Sequence, residues 1–233
     1  MDVSIDKVPI GAMKILSCYR EIQQILAGKM PVPRTMEFFL SSACNHACAG
    51  CHSRYMHKDE HQFLDFDLLK DVVNDFADLG VEGVEISGGG EPLMYPQIIP
   101  AIAFMRARGL KVGMFTNGTL LTEELSEFLV ENVLFLRIAF DAGTAGTYRK
   151  IHGRDDFDRL ISNLENLVRS KAKNGGGKSM GTIKLASGER RSTDARYGTA
   201  TIGAKYLVST KNWMELSRAA ELAKEIGLDY LQF

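Results

Sequence analysis

Residues 35–51 read TMEFFLSSACNHACAGC, an apolar and aromatic run that gives way to three cysteines within eight residues. The first part, 35–41, is rich in β-formers and predicts a strand. The cysteines follow it at C-x3-C-x2-C spacing, as Cys44, Cys48 and Cys51. Three soft thiolates on the loop leaving one strand can converge on a single metal or cluster.

Outward from this stretch the same strand-and-loop unit recurs. Short β-branched or aromatic runs at 83–87 (GVEIS), 111–116 (KVGMFT), 134–141 (LFLRIAFD), 199–209 (TATIGAKYLVS) and 228–233 (LDYLQF) predict further strands. Amphipathic stretches at 65–79, 97–108, 123–131, 156–170 and 213–226 predict the helices between them. Asp65, Thr122 and Asn212 read as N-caps, and Gly80, Gly109 and Gly227 as stops. Such alternation specifies an α/β fold in which helices cover a parallel sheet. A further helix, roughly 12–27, precedes the first strand with Leu16, Tyr19, Ile22 and Leu26 at helical spacing, and Cys18 beside that stripe reads as a small buried hydrophobe.

Composition bounds the function. The chain has 233 residues, 45% of them apolar, and 28 basic against 29 acidic residues give a net charge of -1. That excludes collagen, coiled coil and wholesale disorder. A chain of this length buries about 70–75% of its unfolded surface, so one core holds without disulfide staples. Near-neutral charge argues against a nucleic-acid partner, which would call for a basic face. The N-terminus lacks an apolar signal region and no stretch reaches eighteen uninterrupted apolar residues, so no membrane is expected and the cytoplasm is the expected compartment. Three of the four cysteines crowded together suit a metal site in a reducing compartment better than a disulfide framework.

Segment 171–197 is polar and Gly-rich, carries seven Lys or Arg against two acids, and reads as an insertion between a helix and a strand, at the N-terminal end of the sheet. Its Gly175-Gly176-Gly177-Lys178-Ser179 resembles the tail of a phosphate-binding loop, but Ala172 stands where the first glycine is required, and a helix precedes it where a strand is needed.

The second strand is followed by Ser87-Gly88-Gly89-Gly90-Glu91-Pro92. If the first two strands are parallel neighbours, this turn and the cysteine loop share one rim. Three glycines allow close backbone approach to a ligand, and Glu91 offers a carboxylate for an ammonium group. The cysteines alone leave two metals open. Zinc would need a fourth ligand from His46, His52, His57 or His61, whereas a cubic iron-sulfur cluster on three thiolates keeps one iron free for a substrate atom.

The cysteine triplet after strand one and the Gly-Gly-Glu turn after strand two together resemble the radical S-adenosylmethionine (radical SAM) superfamily, over about residues 35–233 apart from the insertion. The resemblance implies a partial six-stranded parallel (β/α)6 TIM-like barrel behind an N-terminal helical extension, 1–34, and a [4Fe-4S] cluster on Cys44, Cys48 and Cys51. It implies S-adenosylmethionine on the free iron, with Gly89, Gly90 and Glu91 at its amino group and Gly88 in the same cofactor-binding turn. Thr116 and Asn117 after strand three and Asp141 after strand four match polar positions that meet its ribose or carboxylate. Lys205, a charge within an apolar strand, is a candidate for that carboxylate, with a place on the outer face of the barrel as the alternative. Two positions depart from the pattern: Gly50 stands where an aromatic residue often precedes the third cysteine, and Ala139 where strand four often carries a ribose-binding serine.

The implied activity is reductive cleavage of S-adenosylmethionine to a 5′-deoxyadenosyl radical that takes hydrogen from a small-molecule, sugar or peptide substrate, with a one-electron reductant such as a flavodoxin or ferredoxin. The competing readings are a non-catalytic metal-binding or electron-transfer protein and an incomplete portion of a longer enzyme. The apolar strand at 228–233 leads to the expectation of a further capping segment or a partner subunit at the open barrel edge. His57 and His61, four apart, form a possible metal pair, although their polar surroundings favour a solvated loop. Arg149 and His152, after strand four, are candidates for substrate contact, with a polar helix entry as the plainer alternative.

Overall fold

A computed structural model describes residues 18–55, 62–174, 182–184, 190–192 and 199–233. Its strands are β1 (Thr35–Phe39), β2 (Gly83–Ser87), β3 (Lys111–Thr116), β4 (Phe135–Ala139), β5 (Thr182–Lys184), β6 (Arg190–Ser192), β7 (Thr201–Lys205) and β8 (Tyr230–Gln232). Six of them form one sheet in the order β1-β2-β3-β4-β7-β8, every pair parallel, while β5 and β6 pair only with each other as an antiparallel hairpin. Strands neighbouring in sequence are neighbours in the sheet, and β1 and β8 end it unjoined: an open barrel.

The helices are α1 (Tyr19–Leu26), α2 (Phe66–Leu79), α3 (Ile98–Ala107), α4 (Glu123–Asn132), α5 (Ala145–His152), α6 (Phe157–Asn174) and α7 (Leu216–Ile226). Parallel pairing needs a crossover, and α2, α3, α4 and α7 supply single-helix crossovers. Contacts run from α2 to α3, α3 to α4, α4 to α6 and α6 to α7, one continuous outer layer. Alternate strand residues point into it and are buried: Val84 and Ile86, Val112 and Met114, Leu136 and Ile138, Ile202 and Ala204.

The opposite face lines the barrel interior and differs in kind. Register sets Glu37 beside Glu85, Glu85 beside Gly113, and Gly113 beside Phe135; one step on, Phe115 lies beside Arg137, Arg137 beside Gly203, and Gly203 beside Tyr230. A Cβ on Gly113 would lie 2.2 Å from the Phe135 ring and one on Gly203 2.0 Å from the Tyr230 ring, so these glycines give the two aromatic rings room to lie across the sheet.

Local signals behave as their chemistry dictates. Asp65 Oδ1 accepts from Leu68 N at 2.9 Å and Thr122 Oγ1 from Leu125 N at 3.1 Å, capping α2 and α4. Gly80 and Gly227 terminate α2 and α7 in the left-handed region, each at φ 90°. Asn212 is a correction. It does not cap α7; its Oδ1 accepts from Ser209 N at 2.7 Å, and its Nδ2 reaches the carbonyls of Asp141 and Leu207, each at 2.9 Å, so it ties the loop after β7 to the one after β4.

The paired strands are shorter than the apolar runs at 35–41, 134–141, 199–209 and 228–233. Leu40 and Phe140 are buried beyond their strand ends, because hydrophobicity records burial and not ladder pairing. Of the predicted helix at 12–27, residues 12–17 lie outside the described residues. Cys18 is half-buried, 4.0 Å from Arg34 Nη1, and so does not sit in a purely apolar niche. Gly175–Ser179, His57 and His61 also lie outside the described residues, as does most of 171–197.

Candidate functional site

The cysteine loop has neither helix nor ladder across Cys44–Cys51, so its backbone polar groups must be satisfied by other elements. Ala43 O accepts from Glu91 N at 2.8 Å. Ala47 N donates to His152 O at 3.1 Å and Ala49 N to Ile151 O at 2.9 Å, which engages two otherwise orphaned carbonyls at the end of α5. Asn45 O accepts from Arg154 Nε at 2.8 Å. Between the cysteines, the Asn45 side chain accepts from Asn117 Nδ2 at 2.8 Å and donates to Thr119 Oγ1 at 2.9 Å. The loops after β1, β2 and β3, together with α5, therefore form one hydrogen-bonded rim.

The glycine-rich turn meets this loop by contact. A Cβ on Gly90 would lie 2.1 Å from Ala43 O and 2.6 Å from Ser42 C, both backbone atoms that cannot swing aside. Only glycine fits there. Glu91 follows, 3% exposed. Its Oε1 accepts from Thr116 Oγ1 at 2.5 Å and Leu93 N at 3.1 Å, and its Oε2 from Asn117 N at 2.8 Å. Burial pushes its carboxyl above the ordinary range, opposed by these hydrogen bonds.

Beside the turn lies a cavity of about 170 Å³ at the C-terminal ends of β2, β3, β4 and β7. Gly88, Gly90, Glu91, Thr116 and Asn117 line one side, and Arg137, Ala139 and Lys205 another. Lys205, whose orientation the sequence left open, thus faces the interior. The Arg137 guanidinium lies 4.9, 5.6 and 5.9 Å from the ring centres of Phe115, Phe135 and Tyr230, and its Nε donates to Tyr230 Oη at 3.1 Å. Asp141 does not line this cavity. Its Oδ1 accepts from Leu207 N at 2.5 Å and its Oδ2 lies 3.5 Å from His152 Nε2.

Burial raises the Cys44 thiol and pushes Cys48 up to about 12, with the neighbouring cysteines adding to the latter. Burial thus disfavours the Cys44 and Cys48 thiolates, opposed at Cys44 by the His46 backbone N–H and the Arg154 charge, and a bound metal or cluster relieves that condition. The donor set fits an iron-sulfur cluster: three free cysteines on one loop, next to a glycine-rich turn with a cavity at its side. A second donor group overlaps it. The ligating atoms of His46, Cys48 and His152 lie within 4.8 Å of one another.

Arg149 and His152, the candidates for substrate contact, part company. Arg149 is exposed, 3.9 Å from Asp155, whereas His152 is 2% exposed and its Nδ1 lies 3.3 Å from Cys48 Sγ. Burial lowers the His152 imidazole to about 4. Sequence reading passed over Asn45, Thr119, Arg137, Tyr148 and Arg154. The polar Asn45-His46 pair between two cysteines was the available signal, because a loop without regular structure must be tied by such side chains. Arg137, a lone charge within β4, was another.

A sequence profile of the Radical SAM superfamily matches residues 38–186. The chain is 28% identical over 197 residues to an AdoMet-dependent heme synthase of Methanosarcina barkeri, covering 84% of this chain and 48% of that protein. It is 30% identical over 152 residues to the mycofactocin maturase MftC of Mycobacterium tuberculosis, covering 59% of this chain and 38% of that protein. Among solved structures, SuiB of Streptococcus suis bound to its precursor peptide SuiA superposes with a TM-score of 0.67 at 14% identity, covering 99% of this chain and 46% of that one. The chain thus spans about half the length, or less, of the proteins it matches.

Proposed function

The chain belongs to the radical SAM superfamily, and on that premise we propose that it is the catalytic core of an enzyme that cleaves S-adenosylmethionine reductively at a [4Fe-4S] cluster. One observation carries the proposal: Gly90 and Glu91 N pack on Ala43, the residue before Cys44, so the glycine-rich turn that borders the cavity is in backbone contact with the loop that carries the three cysteines.

Cys44, Cys48 and Cys51 would hold the cluster. When bound, it supplies the electron that splits the sulfonium of S-adenosylmethionine into methionine and a 5′-deoxyadenosyl radical, which removes hydrogen from a substrate carbon. The protein's part is to bind and orient. Gly88, Gly89 and Gly90 offer a backbone without side chains to the methionine end, and Glu91 retains one free acceptor position for its ammonium group, since an ionised carboxylate accepts about four hydrogen bonds. Lys205 and Arg137 present positive charge for its carboxylate. Thr116 and Asn117 fix Glu91 and border the same cavity. Asp141, turned toward Leu207 and His152, serves the rim more than the cofactor.

Residues 35–233 would form this core and 1–34 an extension. The substrate is proposed as a small molecule, sugar or peptide, a range consistent with relatives named for heme synthesis and mycofactocin maturation and with the peptide-bound SuiB. A flavodoxin or ferredoxin would deliver the electron, and reduced cysteines favour the cytoplasm. Among the described residues no helix is long and apolar enough to cross a membrane. The unjoined edges at β1 and β8 favour a partner subunit.

The test is anaerobic reconstitution with iron and sulfide, followed by reduction in the presence of S-adenosylmethionine. Four iron and four sulfide per chain with release of 5′-deoxyadenosine are expected by the chemistry of the cluster. Zinc in place of iron, or iron without cofactor cleavage, would refute the proposal in favour of a structural or electron-transfer metal site.

A further inference from the structure

We propose that His152 is a positioning residue for the cluster, donating a hydrogen bond from its Nδ1–H to the sulfur of Cys48 and so raising the cluster's reduction potential. The inference rests on the assignment of Cys48 as a cluster ligand made above. His152 Nδ1 lies 3.3 Å from Cys48 Sγ, within hydrogen-bond reach of a sulfur. A cysteine bound to iron is a thiolate and has no proton to give. Whatever hydrogen bond joins the two groups then has the ring as its donor.

The ring is held where the bond requires it. His152 is the last residue of α5, and Gly153 turns the chain away in the left-handed region at φ 67°. A Cβ on Gly153 would lie 2.7 Å from Ala47 O, so the helix end and the cysteine loop touch at backbone level. The bonds from Ala47 N to His152 O and Ala49 N to Ile151 O flank Cys48 on both sides, so loop and helix cannot shift independently. The Tyr148 ring, one turn earlier, lies 4.2 Å from the imidazole with a 33° tilt and fixes its plane. Nε2, on the far side, is 3.5 Å from Asp141 Oδ2 and makes no hydrogen bond among the described residues.

The consequence is electrostatic. Reduction adds one negative charge to a cluster whose thiolates share it. An N–H aimed at a ligand sulfur stabilises the more negative state more, and hydrogen bonds to the sulfurs are a recognised determinant of cluster potentials. Outer hydrogen bonds of this kind also hold ligands in place.

The experiment compares the wild-type chain with H152F and H152N after anaerobic reconstitution, by iron and sulfide content and by redox titration followed by electron paramagnetic resonance. Phe keeps the ring packed on Tyr148 and removes the donor; Asn places an amide N–H near the position of Nδ1. H152F should retain its cluster with a potential more negative by at least about 59 mV, which is tenfold in a one-electron equilibrium. H152N should return toward wild type. In the reduced wild-type protein, labelled histidine nitrogen and a proton exchangeable in D2O should both couple to the cluster, a signature that needs no variant.

Equal potentials in wild type and H152F, or absence of the histidine coupling, would overturn the role. Loss of iron from a folded H152F that H152N fails to restore would also overturn it, because His152 would then act as a ligand in the group it forms with His46 and Cys48. A wild-type chain that assembles no cluster would instead sink the reading of the whole site.

Discussion

Replacing Glu91 by Ala removes one side chain that joins the loops after β2 and β3, and its cost can be worked from the bonds it makes. The carboxylate accepts from Leu93 N, Asn117 N and Thr116 Oγ1. The Thr116 hydroxyl can rotate to a new partner, whereas the two backbone N–H groups cannot. Each buried donor left unsatisfied costs about 1–3 kcal/mol, so the pair costs roughly 2–6 kcal/mol. Two effects offset part of this. The buried charge is no longer desolvated, and the site borders a cavity from which water can reach the freed donors. The expected loss is therefore about 2–4 kcal/mol, which for a chain of this size lowers Tm by roughly 5–15 °C. Urea and thermal unfolding of the metal-free protein, followed by circular dichroism, measure it directly. Glu91→Gln keeps the volume and one acceptor oxygen and should fall between the two. A loss below about 0.5 kcal/mol for Glu91→Ala, within the range of ordinary surface substitutions, would refute the view of Glu91 as the tie between the loops.

Four further outcomes are expected. In the cluster-bearing protein, Glu91→Ala should weaken S-adenosylmethionine binding roughly ten- to more than hundredfold, the worth of about 1.5–3 kcal/mol for a charge-assisted bond, measured by equilibrium dialysis; equal affinity would remove its cofactor role. Replacing Cys44, Cys48 or Cys51 singly by Ala should abolish cluster assembly, while Cys18→Ala keeps wild-type iron content; a full cluster in Cys48→Ala would unseat the ligand assignment. Gly90→Ala should displace the turn from Ala43 and cost about 1–3 kcal/mol as an overpacking change, together with loss of cluster loading; wild-type stability and iron content would contradict the contact. Tyr206, buried with its hydroxyl donating to Asn212 O at 2.8 Å, is held up to about 12 mainly by burial, so stability is complete below the unfolded value near pH 10 and lost as pH rises toward 12; Tyr206→Phe should flatten that decline, read by unfolding across pH 9–12.

The sheet was legible because a parallel sheet buries one face under helices, and that burial writes itself into runs such as GVEIS and KVGMFT. Strand ends were not, since Leu40 and Phe140 are as buried as their ladder neighbours. The cysteines and the Gly-Gly-Glu turn stood out through spacing that a loop needs only if it must converge on something. What stayed hidden was the scaffolding around them. Asn45 and Thr119 are 74 positions apart, and Cys48 and His152 104 apart, and no local pattern encodes such pairs. His152 looked like a polar residue on a rim; its burial follows from the end of α5 docking on the cysteine loop, a tertiary fact.

The interior face of the sheet divides its charges by strand. Acids sit on one side of the open barrel, with Glu37 beside Glu85 on β1 and β2, and burial together with Glu37 raises the Glu85 carboxyl. Cations sit on the other, with Arg137 on β4 and Lys205 on β7. Arg137 is fixed by three aromatic rings and the Tyr230 hydroxyl, whereas Lys205 is exposed and free to adjust. One charge is thus preorganised and the other adaptable. Glu91 faces the same cavity from the end of β2, with one acceptor position uncommitted. On the proposed function, the amino-acid end of S-adenosylmethionine would meet negative charge on the β2 side and positive charge on the β4 and β7 side. Reversing it would set ammonium against Arg137 and carboxylate against Glu91, two like-charge contacts in a partly desolvated site where Coulomb terms are weakly screened. On the function proposed above, the placement of Glu91, Arg137 and Lys205 on these strands would therefore favour one orientation of the bound amino-acid group.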